Sequence, residues 1–115
     1  MKAKIADFGG WAMPIEYTGV VDEHEAVRND VGIFDVSHMG KLTITGNGAL
    51  DAVNAILVND INRIGDGQAQ YSMLCNPSGG VIDDLIVYRV STDEIRIVPN
   101  ASNADEVSAE LRKLW

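Results

Sequence analysis

The sequence has little positive charge, and this shortage excludes two classes of partner. Nine Lys and Arg residues stand against 17 Asp and Glu residues, which gives a net charge of -8. The nine cations are scattered along the chain, whereas nucleic acids and anionic membranes are bound by clustered positive charge. We therefore expect neither a nucleic acid nor a membrane as a partner.

Cysteine and long apolar runs are also scarce. The single cysteine, Cys75, cannot form an internal disulfide, which indicates a reducing, intracellular setting, and its strand context is typical of a buried structural thiol. No apolar run reaches 18 residues, and the first 20 residues lack the apolar core of a signal peptide. We expect a cytoplasmic protein that begins as a mature soluble chain does.

Metal-ligand spacing is absent as well. His24 and His38 are the two histidines, and neither has a cysteine or a carboxylate at the spacing of a metal site, so we expect no metal. Asp35, Ser37 and His38 have the residue types of a nucleophilic triad, but side chains so close in one extended run point in alternating directions. We expect His38 to order a loop through hydrogen bonds.

What is present is an unusual hairpin pattern over residues 71–89. Two apolar, β-branched runs flank the sequence Asn-Pro-Ser-Gly-Gly at 76–80, which predicts a β-hairpin. The second run, residues 81–88, contains Asp83 and Asp84, although burying an uncompensated carboxylate is costly. This pair is the feature that most needs an explanation.

A strand period of two separates the pair. Asp84 shares a face with Ile86 and Tyr88, and Asp83 shares the other with Leu85. We expect at least one carboxylate to lie in a partly dry place, where the protonated form is favoured unless donors or a cationic ligand compensate. The alternative is that the pair lies at the strand entrance and caps the turn amides of residues 78–80; this fits Asp84 less well, because it lies deeper in the apolar run.

Asp84 is the strongest candidate for chemistry. Tyr88 lies on its face of the strand, and Tyr71 lies across the hairpin. Together these side chains predict a pocket for a flat, nitrogen-rich ligand that forms hydrogen bonds.

The remaining elements follow from apolar periodicity. Residues 1–18 have no sustained period and predict an irregular strand or loop. The predicted helices and strands are a helix at 22–30, capped by Asp22 with Glu25 and ended by Gly32; a strand at 41–45; a helix at 49–58, capped by Asn47; the hairpin; a strand at 94–99; and a helix from 102 to Leu114 with Ala104, Val107 and Leu111 on one side.

Residues 41–114 therefore read β-α-β-β-β-α. That order predicts an α+β fold, an antiparallel sheet with helices on one face, related to the ferredoxin-like arrangement. The fold looks incomplete, because a ferredoxin-like unit needs a further strand after its second helix. Residues 1–35 likewise have no partner layer of their own.

Several motifs resemble one family. They are Phe-Gly-Gly-Trp-Ala-Met-Pro at 8–14, Glu-His at 23–24 with Val-Arg at 27–28, Gly-Ile-Phe-Asp-Val-Ser-His-Met-Gly at 32–40, and Gly-Gly-Val-Ile-Asp-Asp-Leu-Ile-Val at 79–87. In this order they resemble the N-terminal part of the glycine cleavage system T-protein family, the aminomethyltransferases.

The resemblance implies a tetrahydrofolate-dependent enzyme. In that family the lipoyl arm of the H-protein delivers an aminomethyl group, ammonia is released, and the methylene passes to tetrahydrofolate. The motif implies that Asp84 is the catalytic carboxylate, and that Met39, Tyr71, Tyr88 and Asn100 belong to the folate pocket.

Family members are about three times this length and form a three-domain cloverleaf around a folate channel. The resemblance therefore implies a fragment: residues 1–35 would be the N-terminal arm of the first folate-binding domain, and residues 36–115 most of the second domain. Such a fragment is expected to be inactive alone.

Two other hypotheses stay open at this stage. One is a non-catalytic folate-binding or iron-sulfur assembly module of the same fold, which the retained Asp84 disfavours. The other is a structural half-domain that forms a homo-oligomer through its open sheet edge and its aromatic N-terminus.

Overall fold

The computed structural model describes residues 2–113. The chain divides into two compact units, and the boundary falls between His38 and Met39. The proposed correspondence of residues 1–35 and 36–115 with two domains of a longer protein stays a prediction.

The first unit begins with a β-hairpin that the sequence pattern did not predict. Strand β1 (Lys4–Phe8) pairs antiparallel with β2 (Trp11–Glu16), and Phe8 stands opposite Trp11. The two turn residues, Gly9 and Gly10, have φ of 61° and 86°, a combination that a two-residue hairpin turn requires and that glycine alone adopts readily. The expectation of an irregular strand or loop was wrong here.

Helix α1 (Val20–Asn29) follows, and its start is stabilised in an unpredicted way. Its N-cap is Gly19, which forms no side-chain cap, so the predicted cap by Asp22 and Glu25 is wrong. Instead, the Glu23 carboxylate accepts backbone N–H bonds from residues 17, 18 and 19 at 2.6, 2.7 and 3.3 Å.

These bonds lower the pKa of the Glu23 carboxyl below its ordinary value, with the N–H of Tyr17 the largest cause. At the other end of α1 the cap residue is Asp30, whose N–H donates to the carbonyl of Ala26 at 2.8 Å. Gly32 is therefore not the C-cap that we predicted.

The second unit is a four-stranded antiparallel sheet with two helices. In chain order its elements are β3 (Leu42–Thr45), α2 (Ala49–Ile56), β4 (Gln68–Cys75), β5 (Val81–Ser91), β6 (Glu94–Val98) and α3 (Ala104–Arg112). The strand order across the sheet is β3-β6-β5-β4, and every neighbouring pair is antiparallel. The predicted β-α-β-β-β-α succession and the α+β class are confirmed.

One hydrophobic core lies between the sheet and both helices. Strands contribute alternate residues to it, as a sheet with one covered face requires. Buried members include Val53 of α2, Val107 and Leu111 of α3, and the strand residues Ile44, Leu74, Leu85, Val87, Ile95 and Ile97. Val107 and Leu111 thus occupy the buried helix face that periodicity predicted.

Helix boundaries differ from the predictions at several ends. Helix α2 ends at Ile56, and its N-cap is Gly48 with φ of 88°, so the predicted side-chain cap by Asn47 is wrong. A 3-10 turn over Ala101–Asn103 precedes α3, which begins at Ala104. The prediction for Leu114 lies outside the described residues.

Gly40 brings the chain close to the start of α3. Its N–H donates to the carbonyl of Pro99 at 3.1 Å. A Cβ at this position would come within 2.7 Å of Pro99 and 2.8 Å of Ala104, so a larger residue would push this segment away. Met39 is therefore held beside the segment that leads into Asn100.

Candidate functional site

Strand β5 places its two carboxylates on opposite faces of the sheet. Asp83 points to the core side with Leu85, and its exposed fraction is 2%. Asp84 lies on the other, solvent-exposed face with Ile86 and Tyr88. The predicted face assignment is confirmed. The buried carboxylate is Asp83, whereas Asp84 is exposed although it lies deeper in the apolar run of the sequence.

The turn amides of the hairpin are satisfied by another residue. Asn76 Oδ1 accepts from the N–H of Ser78 at 3.1 Å and from the N–H of Gly80 at 2.8 Å. It also accepts the Ser78 hydroxyl at 2.7 Å. The hypothesis that the Asp pair caps this turn is therefore wrong, and both carboxylates are available for other contacts.

The register of the hairpin brings Tyr71 to Asp84. Tyr71 stands opposite Ile86, one diagonal position from Asp84, and a tyrosine side chain spans that distance. The Tyr71 hydroxyl donates a short hydrogen bond to Asp84 Oδ2. Met73 stands directly opposite Asp84 and is half-buried.

This bond raises the pKa of the Tyr71 phenol above its ordinary value. The hydrogen bond to Asp84 is the largest cause, and the negative charges of Asp84 and Asp83 act in the same direction. Deprotonation of Tyr71 would remove the donor and place a second anion beside Asp84. Tyr71 is therefore held as a hydrogen-bond donor well into alkaline pH.

Asn100 reaches Asp84 from the neighbouring strand. Strand β6 pairs with β5 so that Ile86 stands opposite Val98, and continuing this register places Asn100 beside Asp84. The Asn100 side-chain amide donates to the Asp84 carbonyl at 2.8 Å and to Asp84 Oδ1 at 3.2 Å. Asp84 thus accepts from one phenol and one amide.

Asp83 is compensated by three N–H bonds. Its carboxylate accepts from the Asn100 backbone N–H at 2.9 Å, the Asn100 side-chain amide at 3.0 Å and the Asn103 side-chain amide at 2.7 Å. A buried carboxylate needs such donors because water is excluded. The expected compensation by donors is thus found at Asp83.

Of the other two predicted pocket residues, Tyr88 lies apart from this cluster. Tyr88 is on the same face of β5 as Asp84, but four residues along the strand, about 13 Å away at the usual rise per residue. Tyr88 stands opposite Ala69 and Arg96. Met39 is half-buried, and its carbonyl accepts the Lys41 ammonium at 2.8 Å.

Sequence reasoning missed Asn103. We interpreted it as part of a helix start, yet α3 has no side-chain cap at this position. Its side chain instead donates to Asp83 and to the carbonyl of Ile82, at 3.3 Å for the latter. Asn100 precedes the 3-10 turn and Asn103 ends it, and this spacing of three residues from a predicted site residue is the signal that could have identified Asn103.

His38 was predicted to order a loop through hydrogen bonds. The His38 ring packs edge-on against Phe8 with centroids 5.9 Å apart, and its buried Nδ1 has no hydrogen-bond partner in the described part of the chain. The ring therefore contacts Phe8, and its Nδ1 gives no support to the predicted hydrogen bonds. Among residues 2–113 there is no group of three His, Cys, Asp or Glu side chains that could hold a metal ion.

Within the described residues, no helix combines the length and the apolar character needed to cross a membrane.

Comparison with known proteins places this chain in a family. Residues 1–114 match the model of the GCVT N-terminal domain. The chain is 58% identical over 110 residues to the aminomethyltransferase of Mycobacterium avium (strain 104), and 60% identical over 111 residues to that of Frankia alni. These matches cover 96% and 95% of this chain and 30% of each relative, so the chain spans less than a third of their length.

A solved structure gives the same result. The crystal structure of glycine cleavage system aminomethyltransferase T from Bartonella henselae superposes with a TM-score of 0.90 at 39% identity, over 97% of this chain and 31% of that one. The fold is thus a partial, N-terminal portion of the aminomethyltransferase fold. The family predicted from the motifs is confirmed: the chain belongs to the family of the GCVT N-terminal domain.

Proposed function

We propose that this chain forms part of an aminomethyltransferase of the glycine cleavage system. The reaction transfers the methylene of an aminomethyl-lipoyl group on the H-protein to tetrahydrofolate and releases ammonia. The observation that carries the proposal is the position of Asp84, a carboxylate exposed on one face of the sheet and hydrogen-bonded to Tyr71 and Asn100. The identities of 58% and 60% to curated aminomethyltransferases support it.

The residues around Asp84 fit a folate. On this face Tyr71 is 59% exposed, Tyr88 is 41% exposed and Ile86 is 37% exposed. The face therefore offers aromatic and apolar surface to a flat ring. Asp84 adds a carboxylate acceptor, which suits the N–H groups of a pterin. Met39 and Asn100 complete the proposed pocket residues.

Asp84 would act through its charge. Tetrahydrofolate, when bound, supplies the N5 and N10 nitrogens that take up the methylene group. A fixed carboxylate beside these nitrogens stabilises positive charge that develops as ammonia leaves, and it can accept the proton of an attacking amine. Tyr71 and Asn100 hold the carboxylate in one orientation, so no reorganisation is needed during the reaction.

The proposal extends to location and partners. We place the protein in the cytoplasm, with the lipoylated H-protein as the donor of the aminomethyl group. The net charge of -8 is consistent with a protein whose partner is neither a nucleic acid nor a membrane. Residues 36–115 would carry the second folate-binding domain, and the 115-residue chain alone would not catalyse the reaction.

A chimaera tests the folate assignment. In it, this chain replaces the matching segment of the Mycobacterium avium aminomethyltransferase, so that the rest of the enzyme is supplied. Tetrahydrofolate is titrated anaerobically into the chimaera and followed by calorimetry. We expect saturable binding that is weakened by Asp84→Asn and unchanged by Asp93→Asn, a matched change at an exposed turn residue.

Equal binding by the Asp84→Asn variant and the parent chimaera would contradict the assignment of Asp84 to the folate site. Loss of binding in the Asp93→Asn control would show that charge alone is responsible, and it would remove the support for a specific contact.

A further inference from the structure

Asp83 is a buried carboxylate that the proposed reaction does not use. It points away from Asp84, toward the core, and its exposed fraction is 2%. Burying a carboxylate is costly. An apolar side chain, of the kind that Leu85 and Val87 place on the same face of β5, would be buried at this position at lower cost. Its three N–H donors show that Asp83 organises polar groups within the fold.

The group that Asp83 organises most firmly is Asn100. Asp83 accepts both the backbone N–H and the side-chain amide of Asn100, at 2.9 and 3.0 Å. These two bonds fix the position of the residue and the rotation of its side chain together. The same side-chain nitrogen lies 2.8 Å from the Asp84 carbonyl oxygen and 3.2 Å from Asp84 Oδ1, so its two hydrogens are shared among three acceptors.

Asn103 holds Asp83 from the other side. Its amide donates to Asp83 Oδ1 at 2.7 Å, the shortest of the three bonds to this carboxylate, and to the carbonyl of Ile82. Asn103 ends the 3-10 turn that begins after Asn100, so the start of α3 is tied to β5 at this point. The contacts form one chain: Asn103, Asp83, Asn100, Asp84 and Tyr71.

We propose that Asp83 is a positioning residue that fixes the Asn100 amide and, through it, the Asp84 carboxylate. The inference rests on the proposed function, because Asp83 positions a carboxylate, Asp84, that acts in the proposed reaction. Asn100 lies in a loop that follows β6, and without Asp83 its side chain has no anchor on the core side. The burial of Asp83 thus serves the exposed site on the opposite face of the sheet.

Asp83→Asn breaks this anchor with little change of volume. An asparagine offers one carbonyl oxygen in place of two carboxylate oxygens, and its own NH₂ group then faces the donors of Asn100 and Asn103. At least one bond is lost, and the remaining bonds lose the charge that strengthened them. Asn100 becomes free to rotate, and Asp84 loses a fixed donor.

The phenol of Tyr71 reports on Asp84 without any ligand or turnover. Its ionisation is followed in the 115-residue chain by NMR of ¹³C-labelled tyrosine, with Tyr71→Phe to assign the signal. Because Asp83 also acts on Tyr71 through its charge, Asp83→Asn is measured in two backgrounds, the parent chain and Asn100→Ala. The direct effect of charge is present in both, so the difference measures what passes through Asn100.

We expect Asp83→Asn to change the pKa of Tyr71 by different amounts in the parent chain and in the Asn100→Ala background, because only the parent chain contains the contact through Asn100. An equal change in both would overturn the proposal, because Asp83 would then act by its charge alone. Asn103→Ala leaves every ionisable group in place, and we expect it to shift the pKa of Tyr71 because it releases the Asp83 carboxylate that holds Asn100. An unchanged Tyr71 in that variant would count against the chain of contacts.

A second readout is made at neutral pH. In the parent chain the Asn100 side-chain amide should give two well-separated proton signals with slow hydrogen exchange, and Asp83→Asn should bring them toward solvent-exposed values while the core methyl signals stay in place. Unchanged amide signals would contradict the positioning role. Neither readout needs folate, so a failed folate titration and a failed positioning role give different results.

Discussion

Replacing Asp83 by alanine should be the most destabilising change in the polar cluster. The substitution removes the acceptor of three hydrogen bonds: the Asn100 backbone N–H loses its partner, and the side-chain amides of Asn100 and Asn103 keep only their contacts with Asp84 and Ile82. An unsatisfied buried donor costs about 1–3 kcal/mol. Part of this cost is recovered, because the buried charge is also removed.

We therefore expect Asp83→Ala to lower the free energy of unfolding by about 3 kcal/mol, within the usual range for breaking a buried charged network. With a urea slope of about 1.5 kcal/mol per molar, the midpoint would fall by about 2 M. Urea unfolding of the parent chain, Asp83→Ala and the exposed control Asp93→Ala measures this directly. A decrease below about 0.5 kcal/mol, the usual limit for a surface substitution, would refute the reasoning.

Three further changes test other contacts. Alkaline titration should show Tyr71 ionising above the usual tyrosine pKa of about 10. Asp84→Asn should return the pKa of Tyr71 toward that value, because the acceptor of its hydrogen bond loses its charge. The stability that this bond adds is present at lower pH and is lost as pH rises through the raised pKa. Glu23 has a lowered pKa, so the stability that it adds is present above the ordinary glutamate pKa and is lost as pH falls through the lowered value. The backbone amide NMR signals of residues 17–19 should shift in acid in the parent chain and much less in Glu23→Gln. Equal shifts in the two chains would contradict this. Asn76→Ala removes the acceptor for the hairpin turn and should lower unfolding stability by about 1 kcal/mol in urea, whereas an unchanged midpoint would show that the turn holds itself.

Periodicity was enough to predict the sheet and its helices. Alternating residues predicted β5 and β6, and helical spacing predicted the face of α3 that carries Val107 and Leu111, which are buried. These signals are local, because each element must bury one face against the same core.

Caps and the first hairpin were harder to predict. Several side chains near α1 could cap it, and the choice of Glu23 over Asp22 depends on the path of residues 17–19, which the sequence pattern does not determine. The pair Gly9-Gly10 was itself a turn signal, but β1 alternates too weakly for its strand to be recognised.

The part of the site that depends on local pairing was predicted from the sequence. Strand alternation and hairpin pairing are local rules, and they brought Tyr71 and Asp84 together. The contacts of Asp83 with Asn100 and Asn103 join residues 17 and 20 positions apart, and they depend on how the loop after β6 returns to β5. Such contacts need the three-dimensional path of the chain.

The measurement that tests the central claim most directly is the turnover of the chimaera with Asp84→Asn beside Asp83→Asn. Turnover is measured as the ammonia released from the aminomethyl-lipoyl H-protein in the presence of tetrahydrofolate. We predict that Asp84→Asn lowers turnover by about 10²–10⁴-fold, as expected for a group that takes part in proton transfer or charge stabilisation. Asp83→Asn should lower it by roughly tenfold, since it only loosens the geometry. Equal losses in the two variants, or full activity of Asp84→Asn, would contradict the account.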